Sequence, residues 1–169
     1  YQGIKFSTSD GTGAPEEITR LLETQIAKLQ EAGWEPTVKR PGEYRCATLD
    51  PRELYFSEIK KFIDFDVLGK SRFSVAVELL YGAGRGYLDT LLERAGIHVL
   101  RLHDEENPLF GRRRPEPNQE GMKAATALIL GGKASLGLGL DGDADRFGVV
   151  DSDGSFIDPN KVLALALYH

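Results

Sequence analysis

Residues Leu140-Asp141-Gly142-Asp143-Ala144-Asp145-Arg146-Phe147 carry three carboxylates at alternate positions, followed at once by an arginine. Like charges this close repel unless a cation or strong donors neutralise them. Alternate residues of an extended segment turn toward one side, and Gly142 and Ala144 leave room for the backbone to curl round an ion. Hard oxygen ligands presented this way suit Mg²⁺, which keeps open positions for phosphate oxygens. An Asp/Gly cluster between strands is otherwise an ordinary solvated turn. The flanks argue against that reading. Ala134 to Leu140 and Phe147 to Val150 are largely apolar and strand-like, so the loop falls at the carboxyl end of a buried strand, where open α/β sheets place ligand sites. A calcium EF-hand loop needs glycine at its sixth position and glutamate at its twelfth. Those positions hold Arg146 and Ser152, and no helical pattern flanks them. Asp141, Asp143 and Asp145 are therefore the expected metal ligands.

Several elements must position this loop. Phe73 to Leu80, Ile97 to Leu102 and Ser135 to Leu140 read as strands. Tyr87 to Ala95, stopped by Gly96, and Gln119 to Leu130, stopped by Gly131-Gly132, read as helices. Strand, helix, strand, helix, strand implies right-handed crossovers and an α/β fold with a mixed, mainly parallel sheet flanked by helices. Asp153-Gly154 reads as the turn of a hairpin joining Phe147–Asp151 to Ser155–Ile157. Pro159 to Tyr168 opens a further helix. Upstream, Gly3 to Ser7 reads as a short strand and Asp10-Gly11-Thr12-Gly13 as a turn. Pro15-Glu16-Glu17 starts a helix whose apolar residues Ile18, Leu21, Leu22, Ile26 and Leu29 share one face until Gly33. A second helix is expected from Pro51 to about Phe62, with Asp50 as its N-cap. Trp34 to Glu43 has no clear period.

Composition excludes more than it assigns. The 169 residues are 41% hydrophobic and 28% charged, ordinary for a globular chain. A formal charge of −5 argues against a general nucleic-acid binder. A single cysteine, Cys46, excludes an internal disulfide framework and fits a reducing compartment, so a cytoplasmic location is expected. No apolar run is long enough to span a bilayer, and neither a membrane nor a nucleic acid is an expected partner. The chain opens on Tyr1 and ends on His169 inside an apolar helical pattern, so both ends read as cuts through a longer protein.

The remaining candidates are weaker. Gly82, Gly84 and Gly86 do not match the G-x-G-x-x-G spacing, and the better reading is a tight strand-to-helix turn. Arg112-Arg113-Arg114 has the chemistry to hold phosphate. It equally suits a solvated loop or a partner for Glu105, Glu106 and Glu116, and that is the preferred reading. His98, His103 and Trp34 read as structural, and Cys46 has no base near it in sequence.

Together these segments resemble the α-D-phosphohexomutases, the family of phosphoglucomutase, phosphomannomutase and phosphoglucosamine mutase. The aspartate loop with Phe147-Gly-Val-Val-Asp151 and Asp153-Gly154 is similar to the family's magnesium loop. Val75-Ala-Val-Glu-Leu-Leu-Tyr-Gly-Ala-Gly84 resembles the opening strand of its second domain, with Glu78 where aspartate is usual. Phe110-Gly-Arg-Arg-Arg-Pro-Glu-Pro117 resembles its Pro-Glu-Pro loop. Tyr1-Gln-Gly-Ile-Lys5 resembles its Asn-Gly-x-Lys segment, with Gln2 for asparagine.

The resemblance implies a division into residues 1–52, the end of an α/β/α domain I; 53–157, domain II with the metal loop; and 158–169, the first helix of domain III. It implies a Mg²⁺ cofactor and a phosphosugar partner, glucose or mannose 1- or 6-phosphate, with a 1,6-bisphosphate intermediate. The phosphoserine that transfers phosphate would lie in a Ser-His-Asn-Pro loop just before residue 1. Arg146 would place a fixed positive charge near the transferring group. Lys5 would be a general acid or base, although its residue context alone reads as a solvent-facing lysine on an edge strand. The expected whole is a mutase interconverting hexose 1- and 6-phosphates, with this piece supplying the metal site and inactive alone. The alternative class is a non-catalytic divalent-cation or phosphate-binding α/β module.

Overall fold

A computed structural model describes residues 4–35 and 47–168. The chain divides into two compact units, Tyr1–Thr48 and Leu49–His169. In the first, helix α1 (Glu16–Glu31) starts after Pro15, with Glu16 and Glu17 at the positive end of its dipole. The expected strand at residues 3–7 is reduced to one bridge, Ser7 with Gly13. Thr8 and Thr12 bond each other and Asp10, which pulls the chain into a tight turn before pairing can extend. Residues 1–3, most of the aperiodic 34–43 stretch, and Cys46 lie outside the described residues.

The second unit holds helices α2 (Arg52–Ile59), α3 (Phe65–Gly69), α4 (Leu88–Arg94), α5 (Lys123–Leu130) and α6 (Pro159–Tyr168). Its strands are β1 (Ser74–Glu78), β2 (His98–Leu102), β3 (Leu136–Leu140), β4 (Phe147–Val150) and β5 (Phe156–Ile157). They form one mixed sheet in the order β2-β1-β3-β4-β5. β1 runs parallel to both β2 and β3, and β4 is antiparallel to its neighbours β3 and β5. Only β4 therefore opposes the other four, which is the mixed, mainly parallel α/β sheet expected from the sequence.

β1 is central, and its side chains divide between two cores. Ala76 faces Met122, Ala125 and Ile129 of the α5 layer. Val75 and Val77 face Leu92 of α4 and Ile97. Burial on both faces explains why β1 reads as a continuous apolar run instead of an alternating one. At about 25 cal/mol per Å² of buried apolar surface, such positions dominate the stabilisation of the unit.

Two elements differ from expectation. α3 has no strong apolar period and is made by its cap: the Asp64 carboxylate accepts from the backbone N–H of Asp66 and Val67. α5 begins four residues later than expected. The Asn118 side chain accepts from Gly121 N at 3.0 Å, and residues 119–122 are spent as turns. At α2 the Asp50 carboxylate does meet Arg52 N, at 3.1 Å, although Pro51 occupies the cap position.

Candidate metal centre

The first connection from β1 runs to one side of the sheet, to β2, and the chain then returns to β3 on the other side. This is a switch point, and the crevice beyond the carboxyl ends of β1 and β3 is where a ligand fits. The glycine-rich turn after β1 and the aspartate loop after β3 meet there. Ala83 N–H donates to the Gly142 carbonyl at 2.9 Å. A Cβ on Gly82 would lie 2.7 Å from the Asp141 carbonyl oxygen, so only glycine allows the two loops to touch. The glycine turn is thus a support for the aspartate loop. A third segment braces it: Gly142 N–H donates to the Pro115 carbonyl at 3.1 Å.

Inside the loop, the three carboxylates play different parts. Asp141 is fully buried. Its Oδ1 accepts from Asp145 N at 2.9 Å and Arg146 N at 3.0 Å, and its Oδ2 accepts from Arg146 Nε at 2.7 Å. Ala144 takes a left-handed conformation, φ 63°, to close this turn. Asp143 and Asp145 are exposed. One oxygen from each of the three carboxylates can be chosen so that all lie within 4.8 Å of one another. Burial alone would raise the Asp141 carboxyl. The hydrogen bonds from the Arg146 backbone and guanidinium, helped by the Asp143 side chain, outweigh it and hold the group below the ordinary carboxylate range.

Of the residues singled out from the sequence, Asp141, Asp143, Asp145 and Arg146 are brought together. Arg146 is tied to Asp141 and reaches Glu116 at 3.7 Å, with its side chain still more than half exposed. Lys5 lies in the other unit, exposed and outside any helix or strand. The donor set suits Mg²⁺: it is all oxygen, all carboxylate, and drawn from one short loop that leaves coordination positions for other ligands.

His103, read as structural from the sequence, forms a pair with Glu78. Glu78, fully buried at the end of β1, lies 2.8 Å through each carboxylate oxygen from His103 Nδ1. Glu78 stands opposite Leu102 in the β1–β2 register, so His103 is the next residue along the neighbouring strand. The available signal was a lone carboxylate inside an apolar run, because a buried charge must find a partner. Of the two readings of Arg112, Arg113 and Arg114, the exposed loop fits and the pairing with Glu105, Glu106 or Glu116 does not: no salt bridge involves these arginines among the described residues.

Residues 53–154 match the family model described as phosphoglucomutase/phosphomannomutase, alpha/beta/alpha domain II. A phosphoglucomutase/phosphomannomutase of Thermococcus kodakarensis is 32% identical over 98% of this chain and 35% of its own length. A phosphoglucosamine mutase of Corynebacterium aurimucosum is 29% identical over 96% of the chain and 35% of its own length. A solved structure from Thermus thermophilus with a provisional phosphomannomutase name superposes with a TM-score of 0.74 at 31% identity, covering 94% of this chain and 35% of that one. The chain spans about a third of the length of these relatives. Its matched segment, its mixed five-stranded sheet and its relatives agree: the chain belongs to the phosphoglucomutase/phosphomannomutase family, and residues 53–154 are its α/β/α domain II.

Proposed function

We propose that the chain supplies the magnesium-binding part of a cytoplasmic phosphohexomutase that interconverts hexose 1-phosphate and hexose 6-phosphate. The observation that carries this reading is the convergence of Asp141, Asp143 and Asp145, at the switch point of a family domain II. The relatives' names include glucose, mannose and glucosamine phosphates, and the hexose is one of these. The division into residues 1–52, 53–157 and 158–169 belongs to the same reading.

Phosphoryl transfer depends mainly on positioning and charge neutralisation. Asp141, Asp143 and Asp145 would hold Mg²⁺, which supplies Lewis-acid polarisation of a phosphoryl oxygen. Asp141 sets the loop's shape, and the exposed Asp143 and Asp145 give it reach. Arg146 neutralises the Asp141 carboxylate through Nε, and its guanidinium, more than half exposed, would face the oxygens of the transferring group. Lys5 would move a proton at the sugar hydroxyl, beside a phosphoserine contributed by a segment outside these residues.

The test is a coupled assay with glucose, mannose and glucosamine phosphates. The protein carrying a Ser-His-Asn-Pro loop directly before Tyr1 should turn over at least one of the three and lose that activity with Asp143→Asn. The 169 residues alone should turn over none. Isomerisation by these residues alone, or a source protein lacking that loop, would contradict the reading and favour a binding module.

A further inference from the structure

The non-glycine residues with left-handed backbone among those described are Leu80, Tyr81, His103, Phe110, Arg112 and Ala144. Such conformations are costly and gather where the surroundings impose them. Ala144 shapes the aspartate loop. Three of the other five, Leu80, Tyr81 and Phe110, line a different feature, a cleft of about 340 Å³ between the turn after β1 and the arginine loop after β2. Leu80, Tyr81 and Phe110 form its apolar wall, and Arg113 and Arg114 also line it.

Arg113 is held in place through two other side chains. Its Nη2 lies 3.3 Å from His103 Nε2. A guanidinium can only donate, so Nε2 accepts and Nδ1 carries the proton toward Glu78. Glu78 has no exposure and also accepts from Leu80 N at 3.0 Å. The His103 ring lies against Tyr81, centroid to centroid 4.7 Å. Burying a carboxylate is costly unless it is fully partnered. Here the buried group fixes a histidine ring, which in turn fixes an arginine beside the cleft.

The charge balance of the cleft favours an anion. Glu116 and Glu120 also line it, but each faces a cation elsewhere. Glu120 is paired with Lys123, and Glu116 stands 3.7 Å from Arg146, which also bonds Asp141 at 2.7 Å. Arg113 and Arg114 have no carboxylate partner among the described residues, so their two positive charges outweigh the one negative charge left on Glu116.

We propose that this cleft is an anion subsite for a phosphate group, free or carried on a sugar, gripped by Arg113 and Arg114. Glu78 and His103 are positioning residues that act through Arg113. The subsite goes beyond the magnesium-centred function and needs no metal, so it is tested in chelator, where failure of the metal reading cannot imitate its own failure. The 169-residue chain is titrated calorimetrically with inorganic phosphate and, separately, with glucose 6-phosphate. Saturable binding is expected, weakened about tenfold or more by Arg113→Ala, the effect of losing a charge-assisted fork. Arg112→Ala, outside the cleft lining, should bind as the unmutated chain does. His103→Ala should weaken binding several-fold, and this effect should vanish in the Arg113→Ala background, which a purely structural role would not produce. Tighter Arg113-dependent binding of the sugar phosphate would assign a sugar-borne phosphate, and equal binding a free one; both support the subsite. No saturable binding, equal binding by Arg113→Ala, or equal loss in Arg112→Ala would overturn it.

Discussion

Two charged loops meet at the carboxyl end of the sheet, and each is held in a different way. The acidic loop after β3 is neutralised from within: every hydrogen bond to the Asp141 carboxylate comes from Asp145 or Arg146, at most five residues away. The basic loop after β2 is held from outside, through His103 and a carboxylate on β1 that is 25 residues from that histidine. The first is a local fold of a short motif, and its chemistry survives as long as the turn does. The second depends on strand register, because His103 meets Glu78 only while β1 and β2 stay paired as they are. The two also meet: Pro115 of the basic loop accepts from Gly142 of the acidic one.

Breaking the acidic loop at its centre should have the largest effect. Asp141→Ala leaves two backbone N–H groups and a guanidinium without their buried acceptor, and should cost about 3–5 kcal/mol in chemical denaturation. Glu78→Ala tests the other loop. It strands His103 Nδ1 and Leu80 N–H, with an expected loss of about 2–3 kcal/mol. If Glu78→Ala cost more than Asp141→Ala, the order proposed for the two loops would be wrong.

Acid offers a gentler way to separate them. The Asp141 carboxyl is held below its ordinary value of 3.8 in the folded chain. Its contribution is therefore present above that value and is lost as pH falls below it toward the folded pKa. Stability should drop over that window, and Asp141→Asn should flatten the drop. An unchanged acid profile would mean that the loop's donors do not favour the charged form. The smallest effect should come from Asp143→Asn. An exposed side chain that adds only a lesser contribution to holding Asp141 should change stability by less than about 0.5 kcal/mol.

The same contrast explains what could be read from the sequence. The aspartate loop was legible because its meaning is local: charge spacing, small residues and apolar flanks lie within one stretch. β1, β3 and the β4–β5 hairpin were legible for the same reason. The Glu78–His103–Arg113 chain was not, because histidine and arginine acquire a role only through pairing across strands. Gln119 to Met122 looked helical by pattern, and the Asn118 side chain overrode it. α3 escaped notice because a cap, not an apolar face, defines it. The role of Lys5 rests on the family resemblance alone, since its own unit shows an exposed residue outside any helix or strand.

The carboxylate cage is tested most directly by calorimetric titration of Mg²⁺ into the chain and into Asp143→Asn. Stability should be unchanged and Mg²⁺ affinity about tenfold lower in the variant, a loss of about 1.4 kcal/mol. Equal affinities in the two proteins would contradict the metal site.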